Sequence, residues 1–267
     1  MGEERKKGIG YMGEERQGKL WLKKEQVYQG SLILVNSLHG YREQKGIDLV
    51  PVCDGTEEIL MEAEAAQMLR RLLTDIDGWK DIVPVSGWRS RAEQQRIWAD
   101  SLAENGLAFT ETYVAVPDHS EHQTGLAIDL GQRQEEMDFI RPDFPYEGIC
   151  QTFRERAAEY GFIERYPSGK ETVTGIGHEP WHFCYVGAPH ARIMERERLT
   201  LEEYMVFLED YCYGVRPYVF EEQGCRAEVS WMKDGDAAPE LREASSGAIV
   251  VSGNNVDGFI ITQWMPD

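Results

Sequence analysis

Three short segments of the chain carry residue types that can bind a metal ion and move protons. His122 and Asp129 lie seven positions apart in "DHSEHQTGLAIDL", and His182 follows in "EPWHF", three residues after Glu179. A catalytic zinc site needs about three nitrogen or oxygen ligands, an open position and a nearby base. The spacings H-x6-D and E-x2-H therefore indicate a metal site with His122, Asp129 and His182 as candidate ligands. Glu179 is the candidate base for proton transfer.

Each of these residues also has an ordinary structural interpretation. A histidine in an aromatic strand is more often a core residue, and an aspartate at the end of a strand is more often a cap or turn residue. We interpret the nearby Asp118 and Glu121 as solvated, and His119 and His178 as neighbours without a ligand role. What favours the metal site is that both residue pairs lie at strand boundaries. A carboxylate inside the apolar run "LAIDL" is also costly unless it is paired or binds a metal.

Arg89 is the third component of the candidate site. It stands in "SGWRSRAEQQ", where a predicted strand gives way to a predicted helix, and such junctions often carry functional residues. Its permanent charge can stabilise the oxyanion of a tetrahedral intermediate or hold a substrate carboxylate. A surface ion pair with one of the many acids of the chain is equally compatible with the sequence.

The elements that must position these residues follow from hydrophobic periodicity and turn signals. The predicted strands are residues 30–37, 81–87, the run "LAIDL" and 180–187. The predicted helices are residues 56–76, Ser90 to about Glu104, 149–160 and a helix after Thr200. Asp54 and Glu57 are expected to form a capping box for the first helix. The acidic connection at 131–148 exceeds the usual loop length, which favours an insertion or a pocket wall.

Changes in composition along the sequence divide the chain into three parts. Residues 1–26 are rich in glycine and charge, which predicts a flexible arm, and residues 27–212 hold all the candidate chemistry. Residues 213–267 contain short apolar runs separated by the turn signals "KDGDAAP" and "GNNVDG". We expect this last part to be a small β-rich covering or interaction module, because it contains no histidine.

The composition excludes several classes of function. A chain of 267 residues with 42% hydrophobic and 28% charged residues is typical of a globular protein with a real core. A net charge of -19 argues against nucleic acid and anionic membranes as partners. Five scattered cysteines without a CxxC pair indicate free thiols in a reducing compartment. The N-terminus has no apolar stretch like a signal peptide or membrane span, so we expect a cytoplasmic protein. The sequence does not indicate an oligomeric state.

Taken together, "SGWRSRAEQ", "SEHQTGLAID" and "EPWHF" resemble, in the same order, the three motifs of a known family. The chain is similar to the zinc D-alanyl-D-alanine peptidases, the dipeptidases and carboxypeptidases of the VanX, VanY and VanXY kind. The similarity covers roughly residues 27–212. It implies an α+β fold, with the metal on a central antiparallel sheet flanked by helices. The shortest members of the family lack the β-rich appendage at 213–267, so the resemblance implies no function for it.

The resemblance also implies a role for each residue of the site. It implies one zinc ion per chain with three ligands, His122, Asp129 and His182. Glu179 matches the catalytic base of the family, and Arg89 matches the residue that stabilises the transition state. Ser120 and Gln94 fall on motif positions that lie beside the substrate.

The implied activity is hydrolysis of the terminal D-Ala-D-Ala bond, in the free dipeptide or in a peptidoglycan precursor peptide. One alternative is a cell-wall endopeptidase that cuts an L-Ala–D-Glu bond on the same scaffold. A second alternative is a binding module that keeps the fold and the zinc without turnover. The presence of Glu179 argues against the second alternative, because a structural zinc site needs no base.

Overall fold

The structure is a computed structural model that describes residues 14–16, 19–44, 46–53, 59–222, 224–235 and 248–265. The described residues form two compact units. The central unit is Val35–Leu201, and the terminal unit contains the described residues up to Leu34 and those from Glu202 onward. The division at residues 26 and 212 that the sequence predicts stays a prediction.

Strands and helices alternate along most of the described chain. The strands are β1 (Glu14–Arg16), β2 (Lys19–Trp21), β3 (Leu49–Pro51), β4 (Leu60–Glu62), β5 (Ile82–Ser86), β6 (Ala127–Gln132), β7 (Phe162–Tyr166), β8 (Glu179–Tyr185), β9 (Tyr218–Glu222), β10 (Cys225–Lys233), β11 (Ile249–Gly253) and β12 (Gly258–Met265). The helices are α1 (Ala63–Asp75), α2 (Arg91–Asn105), α3 (Leu107–Tyr113), α4 (Gly148–Ala157), α5 (Glu171–Thr174), α6 (His190–Glu197) and α7 (Leu201–Leu208).

The central unit is built on a four-stranded sheet in the order β5-β6-β8-β7, and all neighbouring strands are antiparallel. β6 is buried along almost its whole length, and β8 is buried except at Pro180. The helices supply the rest of the core, with Leu69 and Leu73 of α1 and Phe153 of α4 fully buried. This arrangement confirms the predicted α+β class with a central antiparallel sheet flanked by helices.

Local signals explain the elements nearest the candidate site. β5, "IVPVS", is the predicted strand at 81–87, and α2 begins directly after Ser90. The Ser90 hydroxyl accepts a hydrogen bond of 3.2 Å from the amide of Glu93 and so caps the first turn of α2. After α4, a short 3-10 turn ends at Gly161, whose φ of 84° suits glycine at the end of a helix.

The predicted strand at 30–37 is wrong, although its apolar side chains are buried. Its backbone donors find partners outside a β-ladder. The amide of Leu32 donates to the Ser252 hydroxyl at 2.9 Å, and that of Leu34 donates to the carbonyl of Asn254 at 3.0 Å. The apolar run therefore indicates burial here and not a strand, because the backbone amides bond to a side-chain hydroxyl and to a carbonyl in a turn.

The first predicted helix begins later than the sequence indicates. Leu60–Glu62 form β4, and α1 starts at Ala63 because the Glu62 carboxylate accepts bonds from the next amides, those of Glu64 and Ala65. The predicted capping residues Asp54 and Glu57 lie outside the described residues.

The terminal unit contains a second four-stranded sheet, in the order β11-β12-β10-β9 and again fully antiparallel. Its strands β10, β11 and β12 coincide with the apolar runs that predict a β-rich C-terminal part. Its core cluster consists of Val27, Met232, Val251, Phe259 and Ile261. Of the predicted N-terminal arm, residues 1–13 and 17–18 lie outside the described residues, while β1 and β2 pair as a hairpin. Among the described helices, none has the length and apolar character needed to cross a bilayer.

Candidate metal centre

The three candidate ligands come together on two neighbouring strands and a turn. Asp129 on β6 lies directly opposite His182 on β8 in the sheet register. A 3-10 turn at Glu121–Thr124 brings His122 to the same place, and it closes at Gly125, whose φ of 77° favours glycine. All three side chains are buried, and one donor atom from each lies within 4.8 Å of the others. The structure therefore brings His122, Asp129 and His182 into one cluster.

The orientation of the rings shows which donor atoms face each other. His122 Nε2 lies 3.2 Å from Asp129 Oδ2, and His182 Nδ1 lies 2.9 Å from Asp129 Oδ1. The other nitrogen of His122, Nδ1, is 2.7 Å from the carbonyl oxygen of Gly87. Because a carbonyl oxygen only accepts, His122 Nδ1 carries the proton, and the lone pair is on Nε2.

The donor set fits a zinc ion. Two imidazole nitrogens and one carboxylate are common zinc ligands, and catalytic sites use three protein ligands so that one position remains for water or substrate. The cluster lies at a cavity of about 400 Å³ that the three side chains help to line. The chemistry of the donors and their place at a cavity thus match a catalytic site better than a closed structural one.

Charge and burial oppose each other within this cluster. Burial would raise the pKa of Asp129, but the two histidines outweigh it and lower that pKa. Burial and the charge of Arg89 lower the pKa of His122. Burial would also lower the pKa of His182, yet its hydrogen bonds with Asp129, Cys184 and Glu121 raise it. These shifts keep Asp129 anionic, which is the form in which a carboxylate binds a metal ion.

Glu179 stands at the first position of β8, with its side chain buried. Its Oε2 lies 3.8 Å from His182 Nδ1. Burial raises the pKa of Glu179 to about 8, with the charge of Asp129 adding to the shift and the charges of His182 and Arg89 opposing it. A carboxyl group with a pKa near neutrality is suited to accept and return a proton.

Arg89 reaches the same cluster from the loop between β5 and α2. Its Nη2 donates to Asp129 Oδ2 at 2.9 Å, and its Nε donates to the Ser86 hydroxyl at 2.9 Å. Its Nη1 donates to Gln94 Oε1 at 3.4 Å, while Gln94 Nε2 donates to the carbonyl of Ala115 at 2.7 Å. The partner of Arg89 is a buried carboxylate at the cavity, so the interpretation as a surface ion pair is wrong.

Ser120 and Gln94 are buried and line the cavity. The residues predicted for the site therefore all border one cavity: Arg89, Gln94, Ser120, His122, Asp129, Glu179 and His182. Their individual roles stay predictions. His119, whose Nδ1 lies 2.6 Å from the carbonyl of Asn36, and His178, whose Nε2 lies 2.7 Å from the Tyr146 hydroxyl, are outside the ligand cluster.

The interpretation of Glu121 as a solvated residue is wrong. Its side chain is only 5% exposed, and the Nε of Arg165 donates to its Oε1 at 2.6 Å. Glu121 Oε2 lies 3.3 Å from His182 Nε2. The turn that places His122 at the cavity also points Glu121 inward. The signal that could have revealed it is Arg165, a charged residue in the strand "FIERY" that forms β7 and needs a partner when it is buried.

Comparisons with known proteins identify the family to which the chain is similar. Residues 58–188 match the VanY family, described as D-alanyl-D-alanine carboxypeptidase. The chain is 42% identical over 182 residues to the bifunctional D-Ala-D-Ala dipeptidase and D-Ala-D-Ala carboxypeptidase VanXYC of Enterococcus gallinarum, covering 67% of this chain and 95% of that protein.

Two solved structures extend the comparison to three dimensions. The vancomycin resistance D,D-dipeptidase VanXYg, crystallised with a D-Ala-D-Ala phosphinate analogue, matches with a TM-score of 0.86 and 44% identity, covering 91% of this chain and 97% of that one. A mutant of the D,D-pentapeptidase VanY from a VanB-type resistance cassette, in complex with Zn(II), matches with a TM-score of 0.53 and 31% identity, covering 66% of this chain and 98% of that one.

Proposed function

Because the chain belongs to the D-alanyl-D-alanine carboxypeptidase family, we propose that it is a zinc-dependent D,D-peptidase. Its proposed reaction is hydrolysis of the terminal D-Ala-D-Ala bond of the free dipeptide or of peptidoglycan precursor peptides. The observation that carries this proposal is the buried cluster of His122, Asp129 and His182, with Glu179 beside it at the cavity.

In this proposal one zinc ion per chain is held by His122 Nε2, His182 Nδ1 and the carboxylate of Asp129. When bound there, zinc would supply Lewis acidity to the scissile carbonyl and lower the pKa of a water molecule. The fixed proton on His122 Nδ1, held by the carbonyl of Gly87, keeps Nε2 available as a donor.

The side chains around the metal site are proposed to transfer the proton, stabilise the oxyanion and contact the substrate. Glu179 accepts the proton of the attacking water and returns it to the leaving amine. Arg89 brings a permanent positive charge to the cavity, where it stabilises the oxyanion that develops on the scissile carbonyl. Ser86 and Gln94 restrict the guanidinium, so little reorganisation is needed when charge develops. Ser120 and Gln94 are proposed to contact the bound peptide from the cavity wall.

The length of the cavity supports substrates longer than a dipeptide. One wall is formed by α2, from Glu93 through Ile97 to Glu104. These twelve residues of helix are separated by eleven steps of roughly 1.5 Å, so the wall is about 16 Å long. An extended peptide covers at most about 3.6 Å per residue, so this wall is longer than two residues need. We therefore propose carboxypeptidase activity on longer precursors in addition to dipeptidase activity.

A substrate panel tests the proposal. Purified protein is incubated with D-Ala-D-Ala, with a tripeptide and with a pentapeptide ending in D-Ala-D-Ala, with and without a chelator, and the release of D-Ala is measured. We expect release that the chelator abolishes and added zinc restores. Cleavage of muropeptides at L-Ala–D-Glu without D-Ala release would favour the endopeptidase alternative, and stoichiometric zinc without any turnover would favour a binding module.

A matched pair of variants tests the base. Glu179→Gln should keep zinc and lower kcat by about 10²–10⁴-fold, because it removes the group that carries the proton. Glu164→Gln removes a carboxylate from the neighbouring strand β7 that does not line the cavity, and it should leave kcat unchanged. Full activity in the Glu179→Gln variant would show that another group is the base.

Two further expectations remain proposals. A cytoplasmic location is supported by the free thiols of Cys150 and Cys184, which are buried and not in disulfides, and cell fractionation tests it.

The domain boundaries near residues 27 and 212 are tested by limited proteolysis. Cuts near Leu34 and Glu202 instead would place the boundaries where the two compact units divide.

A further inference from the structure

A buried acid lies behind His182, on the side of the ring that faces away from Asp129. His182 Nδ1 is 2.9 Å from Asp129, and Nε2, across the ring, is 3.3 Å from Glu121 Oε2. Both histidine and acid are about 95% buried, so water does not compete for this contact. The two ring nitrogens therefore have separate partners, and only Nδ1 faces the metal cluster.

Glu121 itself is held firmly by its surroundings. The Nε of Arg165, which is fully buried, donates to Glu121 Oε1 at 2.6 Å. The Tyr166 hydroxyl donates to Glu121 Oε2 at 3.3 Å, and the Cys184 thiol donates to the same oxygen at 3.0 Å. An ion pair without solvent, with additional donors on the carboxylate, has little freedom to move.

This arrangement determines how His182 can act. A carboxylate paired with arginine only accepts hydrogen bonds, so the proton of the ring belongs on Nε2 when the two bond. When a metal ion is bound beside Asp129, the lone pair is then on Nδ1 and available to that ion. We propose that Glu121, held by Arg165, is a positioning residue that fixes the ring orientation and tautomer of His182 for metal binding. The inference rests on the proposed function, because it takes His182 Nδ1 as a zinc donor.

A rival arrangement uses the same residues differently. Glu121, His182 and Cys184 also bring one donor atom each within 4.8 Å of one another, so they could be a ligand set of their own. Arg165 argues against this, because its guanidinium already compensates the charge of Glu121. The variants of Glu121 and Cys184 distinguish the two arrangements.

The experiment measures the zinc dissociation constant by competition with a chromophoric chelator. Glu121→Gln keeps the size of the side chain and removes its charge, and it should weaken zinc binding by about 10–100-fold, as is usual for carboxylates that orient histidine ligands. Cys184→Ala is the matched control, because it removes the thiol beside Glu121 and His182 Nε2 and leaves the contact between Glu121 and His182. It should leave the zinc dissociation constant within about threefold of wild type under the positioning role.

Two results would overturn the inference. A folded Glu121→Gln variant that binds zinc as tightly as wild type would show that Glu121 does not position His182. Equal losses in Glu121→Gln and Cys184→Ala, with a thiolate-to-metal charge-transfer band in the cobalt-substituted protein, would assign the ion to the rival set. Thermal unfolding followed by circular dichroism establishes that each variant is folded.

A measurement on the wild-type protein covers the case in which Glu121→Gln does not fold. A long-range ¹H–¹⁵N spectrum of the zinc-loaded protein should place the ring proton of His182 on Nε2, and a proton on Nδ1 would overturn the inference. These outcomes are separate from the proposed function. Zinc-dependent release of D-Ala can be present with a proton on Nδ1, and it can be absent while Glu121→Gln still weakens zinc binding.

Discussion

The two four-stranded antiparallel sheets of this chain bury different kinds of side chain. In the central unit, the sheet β5-β6-β8-β7 places Glu121, Asp129 and Arg165 in or beside buried strands. In the terminal unit, the buried polar side chains among the described residues are neutral: Ser230, Ser252, Asn254, Asn255 and Thr262. All six histidines also belong to the central unit.

This difference shows that sheets of the same architecture can hold either buried charged groups or an apolar core. Burying a charge costs free energy unless it is paired, so each charge in the central sheet has a partner within hydrogen-bond distance or faces the cavity. The terminal sheet avoids this cost with an apolar core. We therefore expect substitutions in the central sheet to affect mainly chemistry, and those in the terminal sheet to affect mainly stability.

The largest expected effect is a loss of kcat/KM that occurs for a substitution in the central sheet and not for one in the terminal sheet. Asp129→Ala removes a proposed zinc ligand and should lower kcat/KM by at least about 10³-fold, since the metal contributes several kcal/mol to the transition state. Ser230→Ala, a buried polar residue on β10 of the terminal sheet, should leave kcat/KM unchanged. Release of D-Ala measures both. Comparable losses in the two variants would remove the distinction between the sheets.

The next largest effect is a loss of stability, without a loss of kcat, when the core of the terminal unit is changed. Phe259→Ala leaves a cavity in the core of the terminal unit and should lower the free energy of unfolding by about 3–5 kcal/mol. The kcat of the folded protein should stay the same. Val256→Ala is the control, because Val256 is 42% exposed. Urea denaturation measures the change, and a loss of kcat in the folded Phe259→Ala variant would show that the terminal unit takes part in catalysis.

Two glycines offer a matched steric test. An added Cβ would lie 2.3 Å from the carbonyl oxygen of Leu60 at Gly87, and 2.2 Å from that of Val27 at Gly253. Gly87→Ala and Gly253→Ala should each cost about 1–3 kcal/mol of stability, because backbone must shift in both. Only Gly87→Ala should also lower kcat, because the carbonyl of Gly87 holds His122. Equal effects of both variants on kcat would contradict this expectation.

The smallest effect concerns acid stability of the central unit. Burial lowers the pKa of His190 to about 3, while the unfolded chain has a pKa of about 6.5. Above pH 6.5 both states are neutral and His190 has no effect. Below it the unfolded state binds the proton first, so stability falls as the pH decreases from 6.5 toward 3. Between pH 8 and 5.5, wild type should lose about 1.4 kcal/mol more than His190→Gln, measured by urea unfolding. Equal losses in both proteins would show that His190 titrates normally.

Much of the fold is predictable because local signals agree with tertiary packing. β5, β6, β8 and the three C-terminal strands β10 to β12 follow from apolar runs between turn residues, and α2 and α4 follow from a cap and a terminal glycine. The strand at 30–37 and the start of α1 are mispredicted for one reason. Hydrophobicity reports burial, and it does not report which partner satisfies the backbone.

The sequence by itself determined which residues could form the candidate site. His122, Asp129, Glu179 and His182 are recognisable because their spacing places polar groups at the ends of apolar strands. Only the tertiary structure decided the surroundings that orient them. Arg165 meets Glu121 across 44 positions of sequence, and Gly87 meets His122 across 35. Such contacts depend on strand register and on the inward turn at Glu121, and no local pattern of residues encodes either of them.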